Sequence, residues 1–175
     1  LHRVDRRQRQ MCIRDRFLYK SYLGIMVNQY FDILLADDDS DDCMFFKDAL
    51  DELSVEGKFN TVHNGVELLK YLENQTIDQY PDIIFLDLNM PRKSGAECLT
   101  EIKQHEKLRH IPVVIYSTSS NPDVVDTLYK QGAQYYIRKP ADFTNLKSVI
   151  YKALCLSTQM KKVQPPKEGF IIQVS

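Results

Sequence analysis

The chain has 175 residues, 43% hydrophobic and 27% charged, with a formal net charge of −1. That length suits one domain with a full core, and the balance is that of a globular protein, against disordered, fibrous and membrane classes. The charge is uneven: residues 1–25 hold seven Lys/Arg against two Asp, leaving 16 basic and 22 acidic residues in the body, which makes nucleic acid an unsuitable partner.

Residues 1–25 begin basic, but Lys20 interrupts their apolar part after three residues, which makes a poor signal peptide. The portion "RRQRQMCIRDR" resembles adapter-derived peptide found at the ends of assembled gene sequences, and Met26 stands before the first strand as a natural start. Residues 1–25 are therefore expected to be a disordered or artefactual extension, 26–156 the folded domain and 157–175 a C-terminal tail. No apolar run approaches the length of a membrane span. Cys12, Cys43, Cys98 and Cys155 are scattered with no C-x-x-C, so neither zinc nor a disulfide framework is suggested and a reducing cytoplasm fits.

From Phe31 onward short apolar runs alternate with helical patterns. Ile33–Ala36, Phe59–Val62, Ile83–Leu86, Val113–Tyr116 and Tyr135–Ile137 read as five strands bounded by polar or turn residues. Cys43, Phe46, Leu50 and Leu53 recur at helical spacing after a Ser/Asp cap, and Val66, Leu69 and Leu72 do so after His63-Asn64-Gly65. Further helices fit Gly95–His105, Pro122–Gln131 and Phe143–Cys155. Alternation of five strands with five helices implies an α/β, doubly wound parallel sheet covered on both faces. In the tail, Phe170, Ile171, Ile172 and Val174 form a β-prone patch that is expected to dock on the domain or a neighbouring chain.

In open sheets of this kind ligands bind beyond the carboxyl ends of the strands. Asp37 and Asp38 follow the first strand, Asp87 the third and Ser117 the fourth, while Arg138 and Lys139 lie just past the fifth. The run "ADDDSDD" packs five carboxylates into six positions. Two carboxylates roughly 4 Å apart repel by about 4 kcal/mol at an effective dielectric of 20, so the cluster needs compensation. Asp37, Asp38 and Asp87, with a backbone carbonyl nearby, suit an octahedral Mg²⁺ that gains oxygens from a phosphoryl group. Asp87 would be the carboxylate nucleophile of a phosphoryl transfer, Lys139 a neutralising cation and Ser117 a hydrogen-bond donor to the transferred group. Asp41 and Asp42 read as helix-start residues, where negative charge is favoured. His63, His105 and His110 share no ligand spacing and are assigned no chemistry.

"ILLADDDSDD", "DIIFLDLNMPRKSGAECL", "IPVVIYSTSS" and "GAQYYIRKPADF" resemble, in order and separation, the four signature blocks of the bacterial response-regulator receiver domain, over about residues 30–155. The resemblance implies a flavodoxin-like five-stranded sheet of order 2-1-3-4-5 and the function of a single-domain response regulator, similar to those partnered with phytochromes. It implies a phospho-acceptor signalling protein rather than an enzyme, with chemistry only at Asp87. Carried over position by position, Asp87 accepts the phosphoryl group, and Asp37, Asp38, Asp87 and the Asn89 carbonyl hold Mg²⁺. Ser117 and Tyr136 form the switch, with Tyr136 turning from an exposed to a buried position, and Lys139 precedes a cis Pro140. The implied partners are a histidine kinase or phosphotransfer protein and a second copy bound through the fourth helix, fifth strand and fifth helix, with no membrane. Thr118 stands where the family often has alanine, which narrows access to the acyl phosphate. A dehalogenase-type phosphohydrolase would want an Asp two residues after the nucleophile, where this chain has Asn89.

Overall fold

A computed structural model describes residues 29–53, 55–159 and 163–173, and the expectation for residues 1–25 lies outside them. In chain order the elements are β1 Phe31–Ala36, α1 Ser40–Glu52, β2 Gly57–Val62, α2 Gly65–Glu73, β3 Ile83–Leu86, α3 Gly95–Gln104, β4 Val113–Ser117, α4 Pro122–Lys130, β5 Tyr135–Arg138, α5 Phe143–Gln159 and β6 Ile171–Ile172, with short 3₁₀ turns at Ile77–Gln79 and Lys167–Gly169. Each of the first four helices opens on a side chain that occupies its unpaired N–H groups. Asp39 caps α1, Asn64 caps α2, Ser94 forms a capping box with Glu97 at α3, and Asn121 precedes Pro122 at α4.

All strands are parallel, in the order β2-β1-β3-β4-β5-β6. The sequence implied five strands; the structure has six, which corrects that expectation. The sixth comes from the tail: Tyr136 pairs with Ile171 and Ile137 with Ile172, and the Tyr136 N–H donates to the Phe170 carbonyl at 2.9 Å. Without it β5 would be an edge strand with an unpaired row of N–H and C=O groups. The approach is fixed by side chains as well. Gln164 Nε2 donates to the Tyr129 and Ala133 carbonyls, both at 2.7 Å, and Tyr129 Oη donates to the Pro165 carbonyl at 3.1 Å. Phe170 is 1% exposed and packs edge-on against Tyr129.

Successive strand residues face opposite sides, and the core divides accordingly. Leu34, Ala36, Ile84, Leu86, Val113 and Ile115 meet Leu68 and Leu72 of α2, Leu99 and Ile102 of α3 and Leu128 of α4. Ile33, Leu35, Ile83, Phe85, Val114 and Tyr116 meet Phe46 and Leu50 of α1 and Leu146, Ile150 and Leu154 of α5. Cys43 and Cys98 are buried within these two layers, as their helical spacing predicts. Each such large apolar side chain contributes about 1.5–3 kcal/mol by leaving water. The central strands are therefore held rigidly, and so are the residues at their ends.

Candidate functional site

The carboxyl ends of β1, β3 and β5 bring the acidic residues and Lys139 together, and Ser117 ends β4 beside them. Asp37 is fully buried, and its Oδ1 accepts the Asp39 N–H at 3.1 Å. Asp87 is also buried, with its Oδ1 accepting the Leu88 N–H at 2.7 Å and a further bond from the Asn89 N–H. Asp38 is exposed. One oxygen from each of Asp37, Asp38 and Asp87 lies within 4.8 Å of the others. Close packing of backbone helps to fix Asp87. A Cβ on Gly95 would sit 2.0 Å from the Asp87 carbonyl oxygen, and the Gly95 N–H donates to the Leu88 carbonyl at 3.0 Å.

Lys139 Nζ lies 2.7 Å from Asp37 Oδ2, 2.7 Å from Asp42 Oδ2 and 3.7 Å from Asp87 Oδ2. It also stands 5.2 Å from the centre of the Tyr116 ring. Burial disfavours its charge, but the hydrogen bonds it donates to Asp37 and Asp42 outweigh this and hold the ammonium above the ordinary lysine range. Burial raises the carboxyls of Asp37 and Asp87 above the usual aspartate range, and the single cation only partly opposes it. The site carries more negative charge than Lys139 balances. Three convergent carboxylate oxygens with a net negative field fit a hard divalent cation.

The expected site residues fall into place unequally. Ser117 is buried, and its Oγ accepts the Ser119 N–H at 3.4 Å. Tyr136 departs from expectation: it is 2% exposed, not turned outward, and its hydroxyl donates to the Ser119 carbonyl at 2.8 Å. The cause is the tail, because the Phe170 ring lies 6.3 Å from that of Tyr136 and closes its outer side. The expected cis bond before Pro140 is also not found, since every described peptide bond is trans, the usual state of X–Pro bonds. From a trans backbone Lys139 still reaches the acidic pocket. Arg138, Thr118 and Asn89 are exposed.

Two contacts were not foreseen. Asp42, read only as a helix-start residue, is bonded to Lys139 across 97 positions of sequence, a pairing that only the tertiary fold creates. His63 Nδ1 lies 3.1 Å from the Asp37 carbonyl oxygen, where a proton on that nitrogen would be donated. Its place directly after the second strand was the available signal.

A parallel α/β sheet with convergent carboxylates and a lysine at its carboxyl edge is the architecture of an open-sheet α/β protein with a polar site at the strand ends. The match to the response regulator receiver domain over residues 33–151 is specific, and the chain belongs to that family, with its flavodoxin-like receiver fold. It is 33% identical to the probable methanogenesis regulatory protein FilR2 of Methanothrix harundinacea over 69% of this chain and 79% of the relative. It is 33% identical to response regulator Rcp1 of Synechocystis sp. over 65% of this chain and 80% of that protein. Among solved structures it resembles the phosphorylated cyanobacterial phytochrome response regulator RcpA, with a TM-score of 0.65 and 36% identity over 74% of this chain and 96% of that one. The Mn²⁺-bound form of Rcp1 is similar as well, at a TM-score of 0.62 and 30% identity, covering 77% and 97% of the two chains. No described helix is long and apolar enough to cross a membrane.

Proposed function

We propose that the chain is a response-regulator receiver of a cytoplasmic two-component phosphorelay, in which Asp87 accepts a phosphoryl group from a phosphohistidine. The carboxylate oxygen of Asp87 forms a bond to phosphorus while the bond from phosphorus to the histidine nitrogen breaks, and the imidazole leaves with the electron pair. The observation that carries this reading is the juxtaposition of buried Asp87 with Asp37 and Asp38 within 4.8 Å and with Lys139 at 3.7 Å. Asp37, Asp38, Asp87 and the Asn89 carbonyl would hold Mg²⁺, a reading supported by the convergence of the three carboxylates and by similarity to Rcp1, which has a Mn²⁺-bound form. When bound, Mg²⁺ would offset the negative charge of the carboxylates and the phosphoryl oxygens.

The residues of the chain do the rest. The N–H groups of Leu88 and Asn89 orient the Asp87 carboxylate, Lys139 supplies an ammonium for the transferred group, and the Ser117 hydroxyl donates to one of its oxygens. Met44 and Phe45 on α1 are 57% and 51% exposed, and the Phe45 ring meets that of Phe143 edge-on at 6.2 Å. They provide the donor protein with an apolar landing face beside the site. Incubation with Mg²⁺ and a small phosphodonor, followed by intact-mass measurement, tests the reading. A single phosphoryl group on the wild type and none on Asp87→Asn is expected; an equal gain in both would overturn it.

A further inference from the structure

Asp42 is the third residue of α1, the position from which an acidic side chain ordinarily reaches back to the N-cap N–H. Here that N–H, on Asp39, is donated to Asp37 Oδ1 at 3.1 Å. The Asp42 carboxylate is released from capping and bonds Lys139 Nζ at 2.7 Å, although its side chain is 40% exposed. Water could solvate it there at no cost to the helix. Its neighbour Asp41 gives its N–H to the same cap, Asp39, at 2.8 Å.

An ammonium has three N–H donors and no acceptor. Asp37 and Asp42 take two of those of Lys139, each at 2.7 Å, and the third is left over. Asp87 Oδ2, at 3.7 Å, is too far for a hydrogen bond. A phosphoryl group would extend Asp87 outward by one P–O bond and bring oxygens nearer to Nζ. Resting on the proposed role of Asp87, we infer that Asp42 is a positioning residue that fixes the Lys139 ammonium as a tripod, two legs on carboxylates and the third donor kept for the phosphoryl group. Without Asp42, a single hydrogen bond, to Asp37, would direct Nζ, since the Asp87 ion pair and the Tyr116 ring constrain its position but not its N–H directions. The effect is one of geometry, so an uncharged oxygen at position 42 should preserve most of it.

The test titrates beryllofluoride, a phosphoryl mimic, into the Mg²⁺-loaded full chain by calorimetry, with Mg²⁺ alone titrated beforehand. Asp42→Asn keeps a side-chain oxygen acceptor and Asp42→Ala removes it, while both lose the same charge. Mg²⁺ affinity is expected to change equally in the two variants. Beryllofluoride affinity is expected to fall by about tenfold in Asp42→Ala and by no more than about threefold in Asp42→Asn, as for loss of one charge-assisted hydrogen bond. In a Lys139→Ala background Asp42→Ala should have no further effect, the mark of a residue acting through its partner. Equal affinities for the Asn and Ala variants, or an Asp42→Ala effect that persists without Lys139, would overturn the inference. Failure of the wild type to bind beryllofluoride would instead overturn the role of Asp87 itself.

Discussion

Asp37 and Asp87 are buried carboxylates that share one ammonium, and their burial costs the fold stability at neutral pH. Their folded proton affinity lies above the unfolded reference of 3.8, raised first by burial. Above that reference the folded state binds more protons than the unfolded one, so stability falls as pH rises through the folded values of the two groups. Without divalent cation, Asp87→Asn should therefore stabilise the chain at pH 7 by on the order of 1 kcal/mol, roughly 2–4 °C in Tm, and flatten the acid-side slope. Urea unfolding of both proteins from pH 4 to pH 7 measures this; a less stable variant at pH 7 would contradict it. Saturating Mg²⁺ should reverse the order, since about 100 Kd of ligand adds about 2.7 kcal/mol to whichever protein binds it.

At the scale of elements the tail strand carries most of what is unusual. Phe170 is buried between Tyr129 and Tyr136 and orders the segment that pairs with β5. Phe170→Ala should cost about 3 kcal/mol of stability, visible as a lower urea midpoint, and should open the outer side of Tyr136. A change under about 0.5 kcal/mol would mean that the tail is held by its backbone and polar contacts alone. The five main strands were legible because each is an apolar run closed by polar residues, and the site because Asp37, Asp38, Asp87, Ser117 and Lys139 all fall at carboxyl ends. The tail's β-prone run was legible too, but not its partner, since two residues of strand give no register until the edge of β5 is known. Asp42 does lie at the helix start as read, but its bond to Lys139 was missed, and Tyr136 was misjudged, for a related reason. Local capping and a family pattern describe each of them well, while Lys139 and Phe170, which set their actual environments, are distant in sequence.

For the whole molecule, the face of α4, β5 and α5, which includes β6, is the surface proposed to carry the output. Tyr136 is already buried, with its hydroxyl on the Ser119 carbonyl, which leaves the Ser117 hydroxyl as the proposed switch group to test. Sedimentation with and without beryllofluoride should show stronger self-association of the wild type, with Ser117→Ala losing most of the response; an unchanged association state would mean that this face is not the output. That experiment presupposes the acceptor, and the acceptor can be located chemically. An acyl phosphate on aspartate is reduced by borohydride to homoserine, which remains in the chain and can be read by peptide sequencing in a mass spectrometer. After transfer from a phosphorylated histidine kinase, homoserine is expected at position 87 and nowhere else. Homoserine at 37, 38 or 42, or none at all, would contradict Asp87 as the acceptor.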